Sequence, residues 1–356
     1  VSRAFLPDVM RGLDGSLIVL DMSGLSRLDW PPRWRSFSDT TDAPTGIYSL
    51  SEIDGHLYGG SWNGAFRTAL DDAAFRTESL QLTTHEAWAF HRFADDLLFA
   101  ESRRLWRVVD GRALPVSNDD LYPRLFLDDP LDDRLLWIGT EHGPALMQRN
   151  ETGYTLLHRD FSLGWLVNSL VAFDGQLWLG SNDRGGFRLP RTGLDPSTFA
   201  FSAVGKEAGL PLDEHAAVVF SVQDDALYAS IRQGLFRYQD GRFVRDEVAG
   251  LADLLDEGEL VAFRSSPDGQ AWAFSYHSVY RRDESGRWSL SLLGGLHTGA
   301  IFDLLPRRGG DVWVGGNTVT SLRRLDHACA WIEKASAEGP SRRSLCRSEC
   351  PPAPLR

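Results

Sequence analysis

A short pattern recurs along the chain and restricts its fold more than any other feature of the sequence. A turn pair such as Asp-Gly or Asp-Asp is closely followed by an apolar or aromatic residue, which we call the anchor. Successive anchors are 38 to 50 residues apart. Because self-similarity at a regular period is the signature of repeat folds, the chain is predicted to consist of copies of one unit. The eight anchors are Ile18, Tyr58, Phe99, Trp137, Trp178, Tyr228, Trp272 and Trp313.

Each repeat has the composition of four short strands separated by turns. Strand A is apolar, as in IYSLSEI and IFDLL, and strand B carries the anchor after a turn pair that tolerates positive φ. Strand C follows a small-residue step such as Gly180-Ser181 and reads Gly-apolar-apolar-Arg, whereas strand D is weaker, as in GRFVRD. Four strands in about 40 residues is typical of one blade of a β-propeller.

The anchors predict an all-β fold, a single closed β-propeller of eight four-stranded blades within residues 1–334. Closure is favoured because an open stack of blades would leave hydrophobic edges at both ends. Seven blades are the alternative if one repeat is irregular, and the 50-residue interval between Trp178 and Tyr228 is the obvious place for an insertion. Residues 335–356, rich in Pro, Ser and Arg, are predicted to form a C-terminal tail or linker.

Charge and hydropathy exclude several classes of partner. The formal net charge of −12 argues against nucleic acid and anionic lipid, since binding polyphosphate needs a field of the opposite sign. No apolar stretch approaches about 18 residues, and Val1 begins the sequence without a leader, so we expect a soluble fragment of a longer protein. Its three cysteines all follow residue 328 and allow at most one disulfide; a bridge between Cys346 and Cys350 stays open.

Motifs for catalysis, cofactors and metals are absent from the sequence. There is no nucleophile elbow, phosphate-binding loop or dinucleotide fingerprint, and the histidines lack the spacing of a helical zinc site. Paired aspartates such as Asp95-Asp96 occupy the slot of Asp54-Gly55, which favours turns over acid/base pairs. We therefore expect no catalytic residue, no cofactor and no metal. Arginines recur in strand C and are expected to pair with acidic residues on neighbouring strands: Arg27, Arg67, Arg107, Arg188, Arg237 and Arg323.

Two stretches carry a family resemblance. The segments DGQLWLGSNDRGGFRLPRTG and EAGLPLDEHAAVVFSVQDDALYASIRQGLFRYQDGRF resemble the repeats of two-component regulator propellers. The resemblance implies an extracytoplasmic or periplasmic sensor domain of a bacterial membrane signalling protein, followed by a membrane span and a histidine kinase or diguanylate cyclase module. Contact with a membrane would then come only through segments outside this chain. The second propeller and the β-sandwich of many family members are not seen here.

Loops at one mouth of the central channel are the expected binding region, because rigid blades position variable loops there. Their mixture of Trp, Asn, Asp and Arg would suit a small polar ligand, with sugars as one candidate. The B–C loops supply the predicted site residues Trp62, Asn63, Arg103, Glu141, His142, Asn182, Asp183, Arg184, Arg232, Tyr276 and His277, together with Asn317. The segments entering strand A add His85, Glu86, Tyr122, Trp165, Asn168, Glu214, His215, Glu259 and His297.

Two other functions remain open at this point. A carbohydrate-active lyase or hydrolase would use Glu141, His142, Tyr276 and His277, because propellers also host such chemistry at the channel mouth. A protein-interaction platform is the second, and a homodimer is compatible with either. The leading prediction is a non-catalytic sensor propeller that binds a small polar ligand.

Overall fold

The described part of the chain is built almost entirely of β-strands. The computed structural model describes residues 8–11, 17–21, 24–29, 34–36, 45–70, 77–80, 85–110, 112–161, 164–191, 195–196, 199–213, 215–246, 250–293, 300–316, 319–322, 331–336 and 339–344. The chain divides into a terminal unit, Val1–Arg35 with Leu322–Arg356, and a propeller unit, Ser36–Ser321. Short 3-10 turns occur at Lys206–Ala208, Ala252–Leu254 and Arg308–Gly310.

The terminal unit contains one antiparallel sheet. Its strands are β1 (Asp8–Arg11), β2 (Leu17–Asp21), β3 (Gly24–Asp29), β32 (Trp331–Ser336) and β33 (Gly339–Ser344), paired in that order. A further strand, β4 (Trp34–Ser36), follows β3 in the chain. The first anchor, Ile18, lies in β2 opposite Arg27 of β3. The three cysteines lie outside the described residues.

The propeller unit contains six blades, each made of four consecutive antiparallel strands. They are blade 1, β5 (Ile47–Ile53), β6 (His56–Ser61), β7 (Gly64–Ala69) and β8 (Glu78–Leu80); blade 2, β9 (Ala87–Phe93), β10 (Asp96–Glu101), β11 (Leu105–Val109) and β12 (Arg112–Pro115); blade 3, β13 (Pro123–Asp128), β14 (Leu135–Thr140), β15 (Pro144–Asn150) and β16 (Gly153–Arg159); blade 4, β17 (Val167–Phe173), β18 (Gln176–Ser181), β19 (Gly186–Pro190) and β20 (Ser202–Val204); blade 5, β21 (Val218–Gln223), β22 (Ala226–Ile231), β23 (Gly234–Gln239) and β24 (Arg242–Arg245); and blade 6, β25 (Val261–Ser265), β26 (Ala271–Ser275), β27 (Ser278–Arg282) and β28 (Trp288–Leu293). A closing sheet follows, in the order β29 (Ile301–Pro306), β30 (Val312–Gly316), β31 (Val319–Leu322) and β4, so its fourth strand is not consecutive with the other three in the chain.

The prediction of eight blades, and its alternative of seven, is wrong, because the structure has six blades of four strands. The anchor spacing counts repeats but does not say which strands pair. The strands around Ile18 belong to the sheet of the terminal unit, where β3 pairs with β32. The repeat around Trp313 forms the closing sheet, after which the chain enters the terminal unit at Leu322. Six anchors, from Tyr58 to Trp272, therefore define the six blades.

The anchors and turn pairs have the predicted roles. Trp137, Trp178 and Trp272 are fully buried in the second strand of their blades. In the preceding turns, Asp54 and Asp174 adopt positive φ of 49°, which confirms the interpretation of these pairs as hairpin turns. Burial of such large rings between blades supplies the apolar area that holds the sheets together.

The small-residue step at the end of strand B closes the B–C loop. Ser61 Oγ donates to the carbonyl of Gly64 at 2.7 Å, and Thr140 Oγ1 donates to the carbonyl of Gly143 at 2.7 Å. Ser181 Oγ makes the equivalent bond, at 2.8 Å, to the carbonyl four residues later. Each bond satisfies a buried carbonyl with a buried hydroxyl, so the loop leaves the blade in a fixed direction.

Side-chain oxygens link adjacent inner strands. Ser169 Oγ of β17 accepts the amide of Phe220 in β21 at 2.9 Å. At the other end of the propeller unit, Asp303 of β29 accepts the amide of Leu50 in β5 at 2.9 Å. The closing sheet therefore contacts blade 1 directly, through a bond that joins residues distant in the sequence.

A buried ion pair joins blades 3 and 4. The side chains of Asp129 and Arg191 are fully buried, with Arg191 Nη2 at 2.7 Å and Nε at 3.0 Å from Asp129 Oδ2. The same carboxylate accepts the indole N–H of Trp137 at 2.7 Å and the amides of Leu131 and Asp132 at 2.9 and 3.2 Å. The carboxylate is thus surrounded by donors, as a buried charge requires.

His158 predicts a pH dependence of stability. Burial lowers the pKa of this imidazole below its ordinary 6.5, against the opposing charge of Asp160. A depressed folded-state pKa means that the folded chain binds a proton less readily than the unfolded one, so stability is complete above about 6.5 and falls at lower pH. The free energy of unfolding, measured with urea at about pH 8 and at about pH 5, is expected to fall more between these pH values for the native chain than for His158→Gln. Equal losses would contradict the prediction.

Candidate functional site

Five inner strands carry a β-bulge at their second residue. In β5, Ile47 pairs with Ser61 and Ser49 with Gly60, so Tyr48 is left out of the register. The same shift occurs in β9, β13, β17 and β29, whereas β21 and β25 pair without interruption. A bulge leaves its extra residue outside the ladder and redirects its side chain. The five bulge residues are Tyr48, Trp88, Arg124, Asn168 and Phe302.

The bulges lie at one face of the propeller unit. Each bulge lies where strand A begins, opposite the end of strand B and next to the B–C loop. In blade 1, for example, the residue before the bulge, Ile47, pairs with Ser61, the last residue of strand B. We call this side the loop face. The bulged strands are consecutive, from the closing sheet through blade 4, so the modified side chains occupy one continuous part of the inner ring.

Four bulge residues form a chain of ring contacts. Tyr48 stacks on Trp88 with ring centroids 3.9 Å apart and an interplanar angle of 18°. The ring of Phe302 also contacts Tyr48, with centroids 5.5 Å apart and an interplanar angle of 50°. The guanidinium carbon of Arg124 lies 3.1 Å from the centroid of a Trp88 ring. Aromatic and cationic side chains from four neighbouring sheets therefore meet at the loop face.

Several residues predicted from the sequence extend this cluster. The ring centroids of Trp62 and Tyr48 are 6.3 Å apart, and those of Tyr276 and Phe302 are 5.9 Å apart. Both are well exposed, at 62% and 54%. Glu141 forms an ion pair with Arg124. We call the set Tyr48, Trp62, Trp88, Arg124, Tyr276 and Phe302 the aromatic mouth.

Two carboxylates, of Glu141 and Glu86, act on the ionisable groups of the aromatic mouth. Burial lowers the pKa of Arg124 to about 10, although the charges of Glu86 and Tyr48 act in the opposite direction. Burial and the charge of Glu86 raise the pKa of Tyr48, which Arg124 partly offsets. At neutral pH the guanidinium is charged and the phenol is neutral. Nε and Nη1 of Arg124 are buried and make no hydrogen bond to any residue that the structure describes.

Asn182 also reaches a bulge residue. Its Oδ1 accepts a bond from Asn168 Nδ2 at 2.9 Å, and Asn168 Oδ1 accepts from Ser169 Oγ at 3.0 Å. This amide pair belongs to blade 4, beyond the aromatic part of the ring. Of the predicted loop residues, Trp62, Glu141, Asn182 and Tyr276 thus contact the bulge residues.

Arg103 and His142 form a separate group at the junction of blades 2 and 3. Arg103 Nη2 lies 2.8 Å from Asp120 Oδ2 and its guanidinium carbon 5.9 Å from the ring of Tyr122. His142 packs edge-on against Tyr122 at 5.0 Å and against Phe161 at 5.6 Å. These contacts are consistent with loop packing, and they place both residues in a cluster of their own.

The remaining predicted residues lie in loops or in packed positions. Asn63 and Arg232 are exposed, Asp183 and Arg184 form an ion pair at 3.9 Å, and His277 packs edge-on against Tyr276 at 4.9 Å. Among the segments entering strand A, Trp165 is buried and stacks on Phe187, and Glu259 accepts bonds from Ser275 and Tyr280. Glu214, His297 and Asn317 lie outside the described residues.

Two of the strand C arginines, Arg67 and Arg107, pair with acidic residues on neighbouring strands as predicted. Arg67 Nε donates to Glu78 Oε2 at 2.7 Å, and Arg107 lies 3.6 Å from Asp96. They are not assembled into an anion-binding ring by these contacts. Side chains of Arg27 and Arg323 lie outside the described part of the chain.

Sequence reasoning missed Tyr48, Trp88, Arg124 and Phe302, although a signal for them exists. In three of the bulged strands, β5, β9 and β29, the first two buried residues are three apart, as in Ile47 and Leu50. In the regular strand β21 they are two apart, at Val218 and Phe220. Because residues of a regular strand alternate between faces, a spacing of three in a short strand indicates one inserted residue. The inserted position identifies the bulge residue.

Neither a metal cluster nor a membrane helix is found in the described ranges. No group of three or more His, Cys, Asp or Glu residues there could hold a metal ion. Within the same residues, no helix is long and apolar enough to cross a bilayer.

The fold is similar to solved propellers, although no protein-family model and no curated protein sequence matches the chain. An extracellular domain assigned to the hybrid two-component system BT3049 of B. thetaiotaomicron is 13% identical, with a TM-score of 0.66 over 96% of this chain and 50% of that chain. An extracellular domain assigned to the one-component system BT4673 of B. thetaiotaomicron is 12% identical, with a TM-score of 0.62 over 85% of this chain and 44% of that chain. YCF48 from Cyanidioschyzon merolae is 14% identical, with a TM-score of 0.58 over 83% of this chain and 99% of that chain.

These likenesses confirm the resemblance seen in the repeats. The chain is similar to propeller-containing extracellular domains of bacterial signalling systems and spans about half the length of those two. At 12–14% identity, the likeness is one of fold. Activity, ligand and partners must be argued from the residues of this chain.

Proposed function

We propose that the chain is the sensor propeller of an extracytoplasmic signalling protein and that it binds a small polar ligand at the aromatic mouth. The observation that supports this proposal is the set of bulges, which brings four rings or cations from separate sheets into contact at the loop face. Exposure of Trp62 and Tyr276 leaves aromatic surface available to a ligand. The likeness to extracellular domains of signalling systems supports the sensor role.

Signal transfer would follow from the origin of the site residues. Phe302, Tyr48, Trp88 and Arg124 belong to four adjacent sheets, so a ligand in contact with them favours one relative packing of those sheets. A ligand shifts such an equilibrium by its difference in affinity for the two arrangements. The response would pass to a partner or to segments outside this chain, including any segment in a membrane.

Substitution of the two exposed rings, Trp62 and Tyr276, tests whether the ligand binds at the aromatic mouth. Calorimetric titration of the chain against a panel of sugars, amino acids and amines is expected to identify a ligand, and Trp62→Ala and Tyr276→Ala should each weaken its binding about ten-fold through loss of ring contact. Leu131→Ala is the matched control, since Leu131 is 55% exposed in the turn between β13 and β14, away from the loop face. A ligand whose affinity is the same in all three variants would exclude the aromatic mouth.

The enzyme alternative finds no specific support in the geometry. Glu141 and His142 belong to the loop between β14 and β15, and Tyr276 and His277 to that between β26 and β27. Glu141 contacts the Arg124 end of the chain of ring contacts, and Tyr276 contacts the Phe302 end. Residues of an acid/base pair must converge on one reacting atom, and among the described residues no contact joins Glu141 or His142 to Tyr276 or His277.

A further inference from the structure

The outer rings of the aromatic mouth are inclined to one another. Interplanar angles are 43° between Tyr48 and Trp62, 50° between Tyr48 and Phe302, and 73° between Phe302 and Tyr276. These outer rings are tilted, whereas the inner pair of Tyr48 and Trp88 is a stack. Each aromatic face carries a negative quadrupole, so the ring faces that stay exposed in this cluster favour positive charge beside them.

The protein itself shows that a ring of this cluster accepts a cation. Both Arg124 and Tyr48 lie close to Trp88, at 3.1 Å and 3.9 Å from a ring centroid. Much of the surface of the Trp88 ring is therefore occupied by the protein's own groups. The most exposed rings of the cluster are those of Trp62 and Tyr276, whereas Tyr48 and Phe302 are half-buried.

The local charge also favours a positive ligand. Arg124 supplies one positive charge, which the direct ion pair with Glu141 compensates. Glu86 supplies a second carboxylate, whose charge acts on both Tyr48 and Arg124. One guanidinium and two carboxylates thus give an excess of negative charge beside Tyr48. The formal net charge of −12 adds a long-range field of the same sign.

We propose that the ligand of the aromatic mouth is an organic cation, either a quaternary ammonium or a protonated amine. This inference rests on the proposed function and specifies its ligand class. Tyr48, Trp62, Phe302 and Tyr276 supply the ring faces, and Glu86 supplies the counter-charge. Quaternary ammonium groups are recognised in this way because their charge is spread over methyl groups that cannot donate strong hydrogen bonds.

A pair of isosteric probes tests the charge requirement. Choline carries the ammonium group, and dimethylbutanol has carbon in place of the ammonium nitrogen, so the two differ in charge but hardly in shape. Tryptophan fluorescence and calorimetry of the full chain are expected to show choline binding at least about ten-fold more tightly than dimethylbutanol. Trp62→Ala should weaken choline binding about ten-fold.

A matched pair of variants separates charge from packing. Glu86→Gln keeps the side-chain shape and removes the charge, so it should weaken choline binding several-fold and leave dimethylbutanol unaffected. Leu131→Ala should alter neither ligand.

Three results would overturn the inference, and they separate it from the proposed function. Equal affinities for choline and dimethylbutanol would show that the mouth selects apolar shape alone. Binding of a neutral sugar that depends on Trp62 and Tyr276, with no binding of choline, would refute the cationic ligand and uphold the sensor. A chain that binds no member of the panel would refute both.

Discussion

Replacing Asp129 by alanine is expected to lower the free energy of unfolding by about 3–5 kcal/mol. The change leaves the Arg191 guanidinium, whose side chain is fully buried, without its carboxylate. It also removes the acceptor of the Trp137 indole N–H, at the anchor of blade 3. Urea unfolding followed by tryptophan fluorescence measures the loss.

The two partners of this pair are not expected to be equivalent. Arg191→Met should cost less than Asp129→Ala, because Asp129 keeps three N–H donors, from Leu131, Asp132 and Trp137. The control is Arg67→Ala, which removes an exposed ion pair with Glu78 and should lower the free energy of unfolding far less than Asp129→Ala does. A loss for Asp129→Ala no larger than that of the control would show that the buried pair contributes nothing specific.

Replacing Gly180 by alanine is the second change with a large expected effect. A Cβ at this position would lie 2.1 Å from the carbonyl oxygen of Val218 and 2.3 Å from Ser169 Oγ. The carbonyl belongs to the inner strand of blade 5 and cannot rotate away as a side chain could, so blades 4 and 5 must separate. We expect the free energy of unfolding to fall by an amount near the upper end of about 1–3 kcal/mol, measured by thermal and urea unfolding.

Gly241→Ala is the control for backbone strain. Gly241 has a φ of +82°, and a Cβ there would meet nothing within 4 Å. Its substitution should cost about 1 kcal/mol, from conformation alone. If Gly180→Ala is no more harmful than Gly241→Ala, the close approach of the blades is not what requires glycine at position 180.

The same glycine shows what sequence analysis could and could not establish. The small-residue step after the anchor was visible as a repeated pattern, and it placed Gly180 and Gly60 in strand B. Its cause was not visible, because the carbonyl that excludes a side chain comes from the next blade: Val218 for Gly180 and Ala87 for Gly60. Local patterns predict strands and turns well, whereas contacts between repeats depend on the assembled ring.

The blade count failed for a related reason. Periodicity identified every anchor of the six blades, since each lies in strand B of its sheet. It could not show that the strand of Ile18 pairs within the terminal unit, because strand pairing is set by distant segments such as β32. The candidate site was predicted in part. Exposed loop residues such as Trp62 were found from turn signals, but bulge residues lie within apolar strands and resemble core positions.

The bulges have a consequence for how such a site could change. Side chains at the five bulge positions stand outside the strand register, so exchanging one does not alter the pairing of its neighbours. Strand order, anchors and inter-blade glycines can stay constant while these positions vary. A combinatorial library restricted to them would alter recognition with little penalty for folding, and the propeller would serve as a fixed scaffold for many different chemical preferences.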